Sequence, residues 1–257
     1  MSLALANEPI STFNREELTA IIEAAHARGV KVAAHVQTSG AIDTLLDLGI
    51  NSIEHGAGLY DASIRDKALV RKLLRSDTIW VPTLSAFYTS SVDAGSSGYA
   101  KKTWDQCQAT FQEVLGSGLD HVACGGDTGV FAHGNNALEL ILMRRLGAGW
   151  ERVLGWATYG GWKCLRGMEW EGERGDRRLA ELEKQNYARV DPAERPDIDR
   201  GVPFGVIRRG WAADLVAVEG KLDGSVQDFE DTLTKGVKFV MKAGKIYKRD
   251  GAEVLDS

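Results

Sequence analysis

A chain of 257 residues with a net charge of −5 has no general basic surface, which excludes a broad nucleic-acid or anionic-membrane binder. Hydrophobic residues make up 44% and charged residues 26%, a globular balance with length for one large α/β domain or two smaller ones. The three cysteines (Cys107, Cys124 and Cys164) have no CxxC spacing, which argues against a disulfide framework or zinc finger and fits a reducing compartment. The opening MSLALANEPI lacks a basic n-region and a long apolar core, and no apolar run approaches a membrane span. The expectation is a soluble, cytoplasmic protein with no nucleic-acid or membrane partner.

Residues 1–12 read as a loop, with Ser11 or Thr12 able to cap a helix over about Arg15–Arg28. Leu18, Ile21, Ile22 and Ala25 give that helix its apolar face, and Gly29 ends it. KVAAH and NSIEH then read as two strands, each ending in a histidine, His35 and His55, around the amphipathic segment AIDTLLDLG. Asp61–Arg75 follows as a helix, TIWVPTL as a strand, and SSVDAGSSG as a small polar loop. Further helices are expected over Lys101–Leu115, Asn135–Leu146 and Trp150–Arg166, with HVACGGDTG a fourth strand before the second of these. The alternation of helix and strand is the signature of a parallel sheet. Residues 168–203 are charge-rich; RRLAELEK reads as a short exposed helix and DPAERPDIDRGVP as a linker. The tail, GVIRRG, ADLVAVEG, GVKFVMKAG and KIYKRDG, reads as short strands with glycine turns.

In a parallel barrel the C-terminal strand ends share one rim, and there they build a site. The strand ends here carry His35, His55, Thr83 or Ser85, and Asp127. Neutral imidazoles are ligands for zinc and similar ions, and a carboxylate beside a metal-bound water can take its proton. Each residue alone has a bland reading: a hydrogen-bonded histidine, or a turn aspartate in CGGDTG. Two histidines at equivalent strand ends, one βα unit apart, favour the site. Gly125, Gly126 and Gly129 would let backbone approach a ligand. Strict alternation puts Glu54 on the face opposite His55, as a structural ion-pair partner. His26 and His121 are given no role in the site. His133, in the loop after Asp127, is a weaker candidate for lining a substrate pocket.

EELTAIIEAAHARGVKVAAHVQTSGAIDTLLDLGINSIEHG resembles the strand-5 to strand-6 region of the amidohydrolase superfamily, in its imidazolonepropionase-like and prolidase-like branch. CGGDTG with FAHGNNALELILMRRLGAG resembles that family's strand-8 turn and following helix, and GVIRRGWAADLVAVEG with VKFVMKAGKIYK its C-terminal β-sandwich strands. The resemblance implies the C-terminal half of a distorted (β/α)8 TIM barrel over residues 1–167, with strands similar to 5 to 8. It further implies a charged insert at 168–203 and part of a small β-sandwich domain at 204–257. It also implies a metal-dependent hydrolase of carbon–nitrogen bonds other than ordinary peptide bonds. The cofactor would be one or two divalent ions, zinc first. His35 and His55 are similar to the strand-5 and strand-6 ligands, and Asp127 to the strand-8 aspartate that binds metal and serves as general base. The substrate would be a small-molecule amide or cyclic amide.

The chain departs from that pattern. No two of its five histidines are separated by one residue, so the family's strand-1 His-x-His is absent, and the chain begins just after the place of the family's strand-4 lysine or glutamate, which is left unassigned. The expectation is therefore a truncated form, its half barrel leaving strand edges that need a partner, a homo-oligomer or a collapsed arrangement. Two rival readings are a catalytically impaired remnant or pseudoenzyme that binds or oligomerises, and a decarboxylase or isomerase on the same scaffold.

Overall fold

The computed structural model describes residues 12–61, 65–184 and 202–254. The chain forms two compact units, Met1–Asn135 and Asn136–Ser257. The division at residue 167 expected from the sequence followed likeness to a barrel rather than compactness.

The first unit opens with helix α1 (Arg15–His26). Its cap is Asn14, not Thr12: the Asn14 side chain accepts from the Glu17 amide while the Glu17 carboxylate takes the Asn14 amide, a reciprocal capping box. The alternative cap, Ser11, and most of the expected N-terminal loop lie outside the described residues. Strand β1 (Ala33–Val36), helix α2 (Ser39–Asp47) and strand β2 (Ser52–His55) follow. Helix α2 buries Ile42, Leu45 and Leu46 at helical spacing. Helix α3 is shorter than expected, Ala68–Leu73. Strand β3 covers Ile79–Val81, all three residues buried.

The first four residues of the expected polar loop, SSVD, are the end of helix α4 (Leu84–Asp93), so only Ala94–Ser97 turn before helix α5 (Gly98–Gly116). Serine content suggested a loop, but Leu84, Ser85, Ala86 and Ser91 are buried, and packing overrides a weak local propensity.

The sheet is parallel, in the order β1-β2-β3. Ala33, Ala34, His35 and Val36 stand opposite Ser52, Ile53, Glu54 and His55, and Ser52, Ile53 and Glu54 opposite Ile79, Trp80 and Val81. The expected fourth strand reduces to one parallel bridge, Trp80 to Val122, flanked by bonds from the Trp80 amide to the His121 carbonyl and from the Ala123 amide to the Trp80 carbonyl. Beyond it the run Gly125–Gly126 lacks the side chains that hold a ladder. The half barrel read from the sequence is thus a three-stranded parallel sheet with one added bridge, and no closed barrel is present among the described residues.

The second unit contains α6 (Ala137–Arg145), α7 (Trp150–Gly155), α8 (Gly161–Leu165) and α9 (Gly172–Lys184). Helices α7 and α8 are joined by a π-helical turn, Trp156–Gly160, where the glycine-rich GWATYGG breaks the regular ladder. Trp162, Trp170 and Trp211 form a buried cluster with Leu179, Phe204 and Val206. The tail is an antiparallel sheet, β4 (Leu215–Val218), β5 (Val237–Lys242), β6 (Lys245–Arg249) and β7 (Ala252–Glu253), in that order. GVIRRG is not a strand. An unexpected helix, α10 (Val226–Lys235), lies between β4 and β5, capped by Ser225 with Asp228 and wholly burying Phe229. RRLAELEK lies within α9, while most of the expected linker falls outside the described residues.

Candidate functional site at the strand ends

The site is built from the ends of β1, β2 and β3 and the turn after Val122. Ladder pairing puts His35 opposite Glu54, on one face of the sheet. Plain alternation would send His55 to the other face. It does not, because His55 adopts a left-handed backbone, φ +71°. The reversal brings its ring edge-on to His35, with ring centroids 4.3 Å apart and planes at 72°.

Two contacts hold the reversal. The Trp80 indole N–H donates to the His55 carbonyl at 2.9 Å. Gly56 continues the turn at φ +64°, and a Cβ there would stand 2.7 Å from that same indole nitrogen. A glycine is therefore required both by backbone conformation and by space.

His55 is 8% exposed, whereas His35 is open to solvent. The His55 Nδ1 lies 2.6 Å from the Thr83 hydroxyl, and the Phe87 ring meets it edge-on at 5.7 Å. Burial drives the His55 imidazole down to about 4; the neighbouring His35 adds to this and the Asp127 carboxylate opposes it. At neutral pH the ring is uncharged and keeps a lone pair.

Glu54 differs from its expected role. Its carboxylate accepts from the Ser52 hydroxyl at 2.8 Å rather than pairing with a cation among the described residues. Burial raises its pKa, the Ser52 bond works against the rise, and the like charge of Asp127 adds to it. Alternation from His55 misplaced Glu54, since the turn at His55 breaks the alternation. No pattern in the residues announces that turn except Gly56 beside it.

Asp127 is exposed, in a left-handed turn at φ +58°. Its charge acts on both His55 and Glu54. A Cβ on Gly125 would meet Val81 at 2.7 Å, and one on Gly126 would meet Phe131 at 2.7 Å, so packing requires these two glycines. His133 lies exposed in the following loop. Ser85 is wholly buried, which removes it as an accessible nucleophile. His26 bonds Asn51 at 2.8 Å and His121 the Ser76 carbonyl at 3.3 Å, both structural contacts.

No model of a known protein family matches the chain. It is 32% identical over 206 residues to the uncharacterized proteins Rv2915c of Mycobacterium tuberculosis and Mb2939c of Mycobacterium bovis. That match covers 75% of this chain, which spans about half (50%) of each relative's length. Among solved structures, a Xaa-Pro dipeptidase with bound methionine in its active site matches with a TM-score of 0.66 and 24% identity, over 92% of this chain and 49% of that one. The ochratoxinase of A. niger matches with a TM-score of 0.67 and 22% identity, over 94% and 47%. Phenylurea hydrolase B matches with 0.60 and 16%, over 95% and 49%. The chain carries part of the amidohydrolase fold.

Amidohydrolases, as the sequence resemblance implies, place metal ions at this rim. Among the described residues no group of three or more His, Cys, Asp or Glu side chains is disposed to hold a metal ion. His35 and His55 fit as two ligands: they are in ring contact, and His55 is uncharged with Nδ1 committed to Thr83, which leaves Nε2. Among the described residues no third donor joins them.

Proposed function

We propose that this chain is part of a metal-dependent hydrolase acting on a carbon–nitrogen bond other than an ordinary peptide bond, with a small amide or cyclic amide as substrate. The observation that carries the reading is the meeting of His35 and His55 at adjacent strand ends, on a fold shared with a Xaa-Pro dipeptidase and an ochratoxinase. His35 and His55 would hold a divalent ion, zinc first, and Asp127 is the carboxylate whose charge already reaches His55. A bound ion supplies an activated water. Asp127 would accept that water's proton and return it to the leaving nitrogen. Phe87, edge-on to His55, and the Phe131 ring against Gly126 are apolar surfaces that would limit competing water.

The test pairs metal content with turnover. Purified chain, supplied in turn with zinc, manganese and iron, is assayed on N-acyl amino acids, proline dipeptides and cyclic amides. The expected result is stoichiometric metal lost in His35→Ala and His55→Ala, and a fall in turnover of about a hundredfold or more in Asp127→Asn. Metal-free protein unchanged by His35→Ala would overturn the reading.

One observation favours a second reading, a non-catalytic binding protein on the same scaffold: the described residues bring no three-donor group together. Normal turnover by the 257-residue chain would sink it.

A further inference from the structure

The structure assigns a positioning role to Thr83: its hydroxyl holds the His55 ring so that Nε2 is turned to the open rim of the site. This inference rests on the reading of His55 as a ligand-bearing residue.

The first observation is conformational. Thr83 follows β3 and adopts φ +51°, ψ +43°, a left-handed backbone. A β-branched residue there is a steric outlier, whereas glycine or asparagine would sit in the same turn more cheaply. Thr83 also precedes helix α4 without using its side chain to cap it. What the threonine supplies and glycine lacks is a hydroxyl; Thr83 is 4% exposed, and its hydroxyl lies 2.6 Å from His55 Nδ1.

The second observation concerns the other ring nitrogen. His55 is fixed at its backbone by the Trp80 indole and at its ring by His35 and Phe87, yet among the described residues Nε2 has no hydrogen-bond partner. One nitrogen is committed and the other is offered. A hydroxyl suits the committed side because it can either donate or accept. In the free protein it can donate to Nδ1; when a ligand takes the Nε2 lone pair, it can accept from Nδ1–H. A backbone carbonyl could do only the second. Left-handed residues end three successive segments of the rim, His55, Thr83 and Asp127, so strain is concentrated where the side chains converge.

The test uses the full chain labelled with 15N at histidine, at pH 7.5, where the ring is neutral. Wild type should show one fixed His55 tautomer by two-bond proton–nitrogen correlation. Thr83→Val, which keeps the shape and removes the hydroxyl, should show averaged nitrogen shifts, and Thr83→Ser should restore the fixed pattern. A wild-type pattern retained in Thr83→Val overturns the inference. If the valine variant does not fold, Thr83→Ser decides: a fixed tautomer supports the inference, and averaged shifts in a folded protein overturn it. Cobalt(II) alone is the second probe. Its affinity should fall ten- to a hundredfold in Thr83→Val and recover in Thr83→Ser. Failure of wild type to take up cobalt would overturn the metal reading of the site, while the nitrogen signature would still decide the role of Thr83.

Discussion

At the scale of residues, His55 sets the pH behaviour. Its ordinary pKa is 6.5 and burial holds it near 4 in the fold. The unfolded chain therefore takes up a proton as pH falls through 6.5, and the folded chain resists until about 4. The stability contributed is complete above 6.5 and is lost across that window, by at most about 3 kcal/mol. Urea unfolding of metal-free protein at pH 7.5 and 4.5 should show a loss that His55→Gln reduces. Glu54 has the opposite sign. Its pKa is raised, so the folded form holds a proton longer than the unfolded form and stability falls as pH rises through that interval. Glu54→Gln keeps a partner for Ser52 and removes the buried charge, so its urea midpoint at pH 7 should lie above that of wild type. That His35 and His55 stand at the ends of neighbouring strands was legible in the sequence. Their ring contact, the inward face of Glu54 and the part played by Thr83 were not, because the ladder sets His35 opposite Glu54 and all three depend on left-handed backbone at residues that are not glycine.

At the scale of elements, the end of β2 is a small lock made from Trp80 and Gly56. Gly56→Ala places a Cβ against the indole in a left-handed turn, and a loss of about 3 kcal/mol is expected in denaturant unfolding. Trp80→Phe removes the donor to the His55 carbonyl in a buried setting, and a loss of about 1–3 kcal/mol in the same measurement is expected from that bond alone. Strands β1 to β3 were legible because their apolar runs are short, bounded and alternate with amphipathic helical segments. Helix α10 has a capping signal in Ser225 and Asp228, but it stands between two strand-forming runs, LVAV and VKFVMK, whose β pattern dominates the tail. Helix α4 carried no such signal, since serine-rich helices form only when their buried face is packed.

At the scale of the whole molecule, β1 has a strand neighbour on one side only among the described residues, and Ala33 and His35 on it are exposed. Parallel sheets are ordinarily covered on both faces, and an open edge is a pairing surface. We propose that the chain self-associates. Sedimentation equilibrium should show dimers or larger species that dissociate on dilution with loss of thermal stability; a monomer at all concentrations with unchanged melting would refute this. The parallel-then-antiparallel order of the fold was readable from the change of period along the sequence. Its closure was not, since closure depends on partners of each strand edge rather than on any one strand.

The bond from Trp80 to the His55 carbonyl also makes the rim observable from a distance. The protein has seven tryptophans, and Trp80 is the one whose indole proton is spent on the site's own backbone. With 5-fluorotryptophan in place of tryptophan, its resonance would report whether the turn at His55 is made. An occupant of the site, or a lost turn, would then be visible as a change of a single fluorine signal, without a substrate being known.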